Sequence, residues 1–162
     1  MTVTDLHDLK PMYLAVDPGK ATGLAWMYEG AWDSLIITGR TEAREELRAA
    51  MNAHGEPCWR LIIIAEKWQV RKDTYSKSAQ DDPWRLLGWL EGEALDRGIE
   101  YHEQTPHQMK VFIHEGVKNS YRKVRKVGWY KPGEGHDNDA SGHLLTHLVK
   151  IPAGRHLLEK LV

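Results

Sequence analysis

The run of apolar residues Leu61–Ala65 is the feature that most limits what this chain can fold into. Successive residues of a strand alternate sides, so an unbroken apolar run predicts a strand that is buried on both faces. Such a strand is typical of a sheet that lies between two layers of helices. The run is far shorter than the roughly 18 apolar residues that a membrane-spanning helix needs.

The segments around this run predict an α/β fold with a mixed sheet and helices on both faces. Three short β-prone segments with turn signals come first and predict an antiparallel meander, and alternating helices and strands follow. The predicted strands are Tyr13–Val16, Thr22–Tyr28, Trp32–Thr38, Arg60–Glu66 and Ile99–Gln104. The predicted helices are Thr41–Gly55, Asp82–Arg97, one opening at Pro106, a short one after Asn119, Asp139–Lys150, and a final turn or two after Pro152.

Length and composition indicate one soluble domain. A chain of 162 residues suits a single domain, and we expect one over residues 1–162 with a loose tail over residues 1–10. The N-terminus has neither the basic nor the apolar region of a secretory signal. Cys58 is the only cysteine, which excludes an intramolecular disulfide and favours a reducing cytoplasm.

Charge is distributed unevenly along the chain. The net charge is −1, but residues 1–100 carry a balance of −5 and residues 101–162 a balance of +4. The segment Lys118–Lys131, which we call the basic segment, has six basic residues and no acidic one. Such a patch can bind phosphate, although a solvated helix face is the alternative.

Acidic side chains stand where catalysis in α/β proteins usually occurs. Asp17 and Glu66 each follow a predicted strand, and they emerge at one sheet edge if those strands are parallel neighbours. Asp139 opens the last long helix and shares a face with His143, four residues later, while His136 precedes Asp139 by three residues. Carboxylates held close together need a countercharge, and an oxygen-rich site without thiolates suits Mg²⁺ or Mn²⁺.

The two strand-end carboxylates also have structural interpretations. Asp17 could simply begin an Asp-Pro-Gly turn. Glu66 closes an apolar strand, where an unpaired charge is costly, but it could pair with Lys67, Arg71 or Lys72.

Alternatives remain open for the last helix as well. Asp137 and Asp139 could be charges that favour a helix N-terminus. His143 and His147 have the spacing of a zinc-binding pair, but the chain has neither an HExxH motif nor a nearby thiolate.

Four segments together resemble the RuvC-type Holliday junction resolvases, a branch of the ribonuclease H-like superfamily. They are AVDPGKATGLAW (Ala15–Trp26), IIIAEKWQV (Ile62–Val70), EQTPHQMKVFI (Glu103–Ile113) and HDNDASGHLLTH (His136–His147). The resemblance implies a five-stranded ribonuclease H-like fold. It also implies an Mg²⁺- or Mn²⁺-dependent endonuclease that resolves four-way and other branched DNA in recombination, repair or phage DNA processing.

The resemblance also implies roles for individual residues. Asp17, Glu66, Asp139 and His136 would be catalytic metal ligands; His136 matches a family position, three residues before the last acid, that is either Asp or His. Two ions in such a site can act on the attacking and leaving oxygens of a phosphodiester. Lys118 or Lys123 would match a basic residue near the scissile phosphate.

DNA contacts and a homodimer complete these expectations. We expect backbone contacts from Lys118, Arg122, Lys123, Arg125 and Lys126, and base stacking from Trp68, Tyr75, Trp129 and Tyr130. A four-way junction is nearly two-fold symmetric, so a C₂ dimer would present two matched sites. Gly88 and Gly92, four residues apart on one helix, would allow close contact between protomers or, equally, packing within one chain.

Three other functions use some of the same residues. A ribonuclease H-like nuclease for flaps, forks or RNA–DNA hybrids would need the same acids. A junction-binding protein without catalysis would not need all of them. An actin-type ATPase also starts from an Asp-x-Gly strand, but it requires two lobes, and 162 residues provide one.

Overall fold

The computed structural model describes residues 9–54, 59–67, 81–133 and 135–162. The strands β1 to β5 are Lys10–Asp17, Ala21–Tyr28, Ala31–Thr38, Trp59–Glu66 and Glu100–Gln104. The helices α1 to α6 are Arg40–Asn52, Asp81–Asp96, Pro106–His114, Arg122–Lys126, His136–Leu148 and Arg155–Leu161, with a 3₁₀ turn at Pro152–Gly154. None of the helices in these ranges is long and apolar enough to cross a membrane.

The sheet has the order β3-β2-β1-β4-β5, and β1 is its central strand. β1 pairs antiparallel with β2, and β2 with β3, which confirms the predicted meander. β4 runs parallel to both β1 and β5, so the C-terminal ends of these three strands lie at one edge. The predicted α/β class with a mixed five-stranded sheet is therefore confirmed.

The side chains of β4 divide between two hydrophobic clusters, one on each face of the sheet. Ile62 and Ile64 pack with the cluster that includes α5, while Leu61 and Ile63 pack with the cluster that includes α1 and α2. This division confirms that the apolar run is covered on both sides. Because both faces of the sheet are covered, the ends of the strands are where polar side chains can reach solvent.

Several predicted boundaries were wrong. Within the predicted tail, Leu9 is buried and Lys10 already belongs to β1, because the parallel ladder extends to Trp59. α1 begins after Gly39 rather than at Thr41.

The last two predicted helix starts were also displaced. α4 begins after Tyr121 rather than after Asn119, since both residues have a left-handed backbone. α5 begins at His136 after Gly135, which has a φ of 100°, instead of at Asp139. His136 therefore belongs to the helix that carries Asp139.

The α3 start agrees with the prediction. Thr105 caps the helix through a reciprocal pair of hydrogen bonds with Gln108, and Pro106 follows at the first helical position. In α2, Leu90 is fully buried, whereas Leu95 is 79% exposed.

Candidate functional site

Asp17 and Glu66 end neighbouring parallel strands at the same edge of the sheet. The register pairs Val16 with Ala65, so the two acids follow at equivalent positions. Both side chains are buried, with 4% and 9% of the residue exposed. The juxtaposition that the strand pattern predicts is therefore present.

The N-terminus of α5 lies directly against this edge because two glycines leave room for it. A β-carbon on Gly19 would come within 2.6 Å of His136 Cε1, and one on Gly23 within 2.0 Å of the His136 carbonyl oxygen. This close approach places His136 Nδ1 at 2.9 Å from Asp17 Oδ2. Residues that are 119 positions apart in the chain thus share a hydrogen bond.

Tyr121 holds Asp139, a contact that sequence reasoning missed. Its hydroxyl donates to Asp139 Oδ1 at 2.8 Å, and its backbone N–H donates to His114 Nδ1 at 3.1 Å. Burial and the charge of Asp139 raise the pKa of Tyr121, so the phenol stays protonated and remains a donor. Nothing in the spacing of Tyr121 and Asp139 indicates this contact.

His143 is the second residue whose contact was missed, and it pairs with Glu66. The imidazole is fully buried, and its Nε2 lies 3.0 Å from Glu66 Oε2. Lys67, considered above as a partner for Glu66, pairs with Glu103 at 3.2 Å instead. Arg71 and Lys72 lie outside the described residues.

Two carboxylates and two imidazoles, those of Glu66, Asp139, His136 and His143, act on the charge of Asp17. Burial raises its pKa to about 7; the hydrogen bond with His136 opposes the rise, and the charges of Glu66 and Asp139 add to it. Asp17, Glu66 and Asp139 are therefore close enough to repel one another. Their direct partners are two imidazoles and a phenol rather than lysine or arginine.

The predicted metal ligands are paired with protein groups in this conformation. Among the described residues, no three His, Cys, Asp or Glu side chains form a group that could hold a metal ion as they stand. Asp137, the neighbour of His136, is buried and accepts a hydrogen bond from the backbone N–H of Asn138.

The fold as a whole is similar to solved structures of RuvC from Thermus thermophilus. RuvC alone matches with a TM-score of 0.55 and 18% identity, over 84% of this chain and 92% of that one. RuvC in complex with a Holliday junction substrate matches with a TM-score of 0.61 and 15% identity, over 88% and 96%. This chain has the RuvC fold. No protein-family model and no curated protein sequence matches it.

In this RuvC fold the basic segment packs on the site through Tyr121 and carries cations on its surface. Four of the predicted phosphate contacts are exposed: Lys118, Arg122, Arg125 and Lys126. The fifth, Lys123, is partly buried and pairs with Glu115 at 2.8 Å. The four exposed side chains are therefore more accessible from solvent than that of Lys123.

The predicted stacking residues have different environments. Trp129 is only 6% exposed and stacks on Trp32 at 5.6 Å between ring centroids, so its place is in the core of the RuvC fold. Tyr130 is partly exposed, with the guanidinium carbon of Arg125 at 3.4 Å from its ring centroid. The other two, Trp68 and Tyr75, lie outside the described residues.

Proposed function

We propose that this protein is a metal-dependent endonuclease that cuts four-way and other branched DNA. The observation that carries the proposal is the convergence of Asp17, Glu66 and Asp139 at one sheet edge, in a chain with the RuvC fold. A Thermus thermophilus RuvC structure with this fold is a complex with a Holliday junction substrate. We propose DNA recombination, repair or phage DNA processing in the cytoplasm of a bacterial cell as its setting.

The donor set fits a hard divalent cation. Burial raises the pKa of Asp17, and the negative charges of Glu66 and Asp139 add to the rise, so a cation bound beside these three carboxylates would favour their ionised forms. Carboxylate oxygens with one imidazole, and without a thiolate among the proposed ligands, suit Mg²⁺ or Mn²⁺. Asp17, Glu66, Asp139 and His136 would hold one or two such ions, exchanging their present hydrogen bonds for them.

Side chains of the protein would hold the metal ligands and the DNA in place for cleavage. Mg²⁺ or Mn²⁺ held by these residues would supply the positive charge that makes water acidic and stabilises the leaving oxygen of a phosphodiester. Tyr121 orients Asp139, and burial of Asp17 excludes bulk water from its carboxylate. The exposed cations of the basic segment bind the DNA backbone beside the site.

A comparison of substrates tests this function. The protein is incubated with a four-way junction, a flap, a replication fork, an RNA–DNA hybrid and linear duplex, with Mg²⁺, with Mn²⁺ or with EDTA. We expect cleavage of the branched DNA, above all the junction, only in the presence of metal. Preferential cutting of the hybrid would support a ribonuclease instead, and tight junction binding without cleavage would support a binding protein.

We expect the double variant Lys118→Gln/Arg122→Gln to weaken binding of every branched substrate alike. Both residues are exposed on the basic segment, and phosphate contacts contribute affinity without sequence information. The slope of log affinity against log salt should fall by about 1 for each residue removed. Fluorescence anisotropy over a salt series measures both effects, and an unchanged slope would show that the DNA lies elsewhere.

We propose further that two copies associate through α2. Trp84, Gly88, Gly92 and Leu95 fall on one side of this helix. Trp84 is 61% and Leu95 79% exposed, and the space beside both glycines is open. An exposed apolar helix face with close access to its backbone suits a second copy of the same helix, and a two-fold dimer suits a junction.

The dimer proposal predicts the effect of Leu95→Gln. We expect the dimer dissociation constant to rise roughly tenfold or more in sedimentation experiments, because an exposed apolar anchor is lost. Leu158→Gln, which changes an exposed leucine on α6, is the matched control and should have no effect. Equal dimerisation of both variants would place the interface elsewhere.

A further inference from the structure

The contact between His143 and Glu66 joins two side chains that are 77 residues apart. His143 lies one helical turn after Asp139 on α5, and Glu66 is the last residue of β4. The imidazole has no solvent exposure, and its Nε2 is 3.0 Å from Glu66 Oε2. A buried histidine with both nitrogens near polar atoms is a specific arrangement and not a general feature of a helix core.

Gln104 determines which nitrogen of His143 carries the proton. The Gln104 amide is assigned from its hydrogen bonds, which are satisfied when its nitrogen donates to His143 O and Nδ1, at 3.2 Å each. Its oxygen then accepts from the backbone N–H of His147 at 3.3 Å. Nδ1 of His143 is therefore an acceptor, and Nε2 carries the hydrogen that is donated to Glu66.

The backbone fixes the position of this chain of hydrogen bonds. Gln104 is the partner of Glu66 in the parallel register of β4 and β5, and the Lys67 N–H donates to the Gln104 carbonyl at 2.7 Å. On the helix side, a β-carbon on Gly142 would approach Ile113 Cδ1 to 2.7 Å. α5 is thus pressed against α3 beside His143, which limits how far the imidazole can move.

We propose that His143 is a positioning residue that orients the Glu66 carboxylate through Oε2, with Gln104 setting its tautomer. This inference rests on the proposed function, in which Glu66 is a metal ligand. A glutamate side chain has several rotatable bonds, and fixing one oxygen reduces the freedom that metal binding must remove. The same helix then contributes both Asp139 and the support for Glu66.

A purely structural role fits the surroundings less well. The neighbours of His143 on the buried side of α5 include Ala140 and Leu144, both fully buried and apolar. A leucine would fill a core position without the cost of burying polar atoms. The cost of burying the His143 imidazole is therefore better explained by its hydrogen bond to Glu66 than by packing in the core.

The test compares His143→Leu and His143→Gln with wild type. Mn²⁺ binding to the protein without DNA is measured by electron paramagnetic resonance and calorimetry. We expect His143→Leu to weaken Mn²⁺ binding by about 10- to 100-fold, and His143→Gln, whose amide nitrogen can replace Nε2, to recover most of the affinity. Junction cleavage should follow the same order, while junction binding in EDTA stays within about twofold of wild type.

His147→Leu is the matched control, one turn further along α5. Its ring packs on His102 at 4.8 Å between centroids, and we expect no change in Mn²⁺ affinity. Long-range ¹H–¹⁵N spectra of the metal-free protein should show His143 with its hydrogen on Nε2. Thermal unfolding checks each fold, and Gln104→Met serves as a second variant that disturbs the tautomer without removing the imidazole.

The outcomes separate this inference from the proposed function. If His143→Leu binds Mn²⁺ as tightly as wild type, or if His143 carries its hydrogen on Nδ1, the positioning role is overturned while the nuclease remains. Wild-type protein that neither binds Mn²⁺ nor cuts branched DNA would overturn the function itself.

Discussion

Asp17→Asn should abolish cleavage of a four-way junction and leave junction binding within about twofold of wild type. Asp17 ends the central strand, and the charges of both Glu66 and Asp139 act on it. Of the proposed ligands it is therefore the one best placed to contact every bound ion. Asparagine keeps the shape and the hydrogen bond with His136 but loses the charge that holds a cation. We expect the turnover rate to fall by roughly 1,000-fold or more.

The same substitution should make the metal-free protein more stable. The folded-state pKa of Asp17 is raised to about 7, above its ordinary value of 3.8. Its ionisation therefore destabilises the fold, and stability is lost as the pH rises through the folded-state value. In EDTA, Asp17→Asn should raise the unfolding temperature at pH 8 and raise it less at pH 5, where Asp17 is largely protonated in the fold.

Single-turnover cleavage, anisotropy in EDTA and calorimetric unfolding measure these effects. Asp96→Asn, on the exposed end of α2, is the matched control and should change none of them. Normal turnover by Asp17→Asn would exclude Asp17 from the metal site. A lower unfolding temperature at pH 8 would mean that the ionised carboxylate is a net stabiliser of the fold.

The sheet could be predicted from the sequence because its signals are local. The apolar run of β4 ends in Glu66, and β1 ends in an Asp-Pro-Gly turn. The position of each acid at a strand end can therefore be predicted from the residues of that strand alone. Parallel pairing of these strands then follows from the order of the elements. Thr105 and Pro106 likewise start α3 through contacts within one turn.

The remaining details depend on contacts between distant segments. Tyr121 and Asp139 are 18 residues apart, and they meet only because α4 folds against α5. The start of α5 was predicted too late because the residue before it, Gly135, has a left-handed backbone. A single glycine of this kind leaves no periodic pattern in the sequence that would mark the helix start. His143 did share a helix face with Asp139, but its partner Glu66 is determined by the sheet and not by the helix.

Gly23→Ala should produce the second large effect, through the backbone rather than through a ligand. Gly23 is the partner of Asp17 in the β1–β2 ladder. A β-carbon there would lie 2.0 Å from the His136 carbonyl oxygen, 2.3 Å from its carbon and 2.9 Å from the Asp137 nitrogen. These are backbone atoms, so no side-chain rotation relieves the clash, and the first turn of α5 has to move.

We expect Gly23→Ala to lower the free energy of unfolding by about 3 kcal/mol. Cleavage should fall by roughly 100-fold, because a displacement of about 1 Å at a catalytic group has that effect. Urea unfolding and junction cleavage measure the two losses. Gly133→Ala, where a β-carbon meets no atom within 4 Å, is the control and should behave like wild type.

The two substitutions at this edge of the sheet therefore have opposite effects on stability and the same effect on activity. Asp17→Asn removes a charge that the fold tolerates at a cost, whereas Gly23→Ala displaces the helix that brings His136 and Asp139 to that charge. If Gly23→Ala retained full stability and cleavage, α5 would not press on β2, and the four proposed ligands would not share one site. Loss of cleavage in both, with stability rising in one and falling in the other, is the result that this arrangement requires.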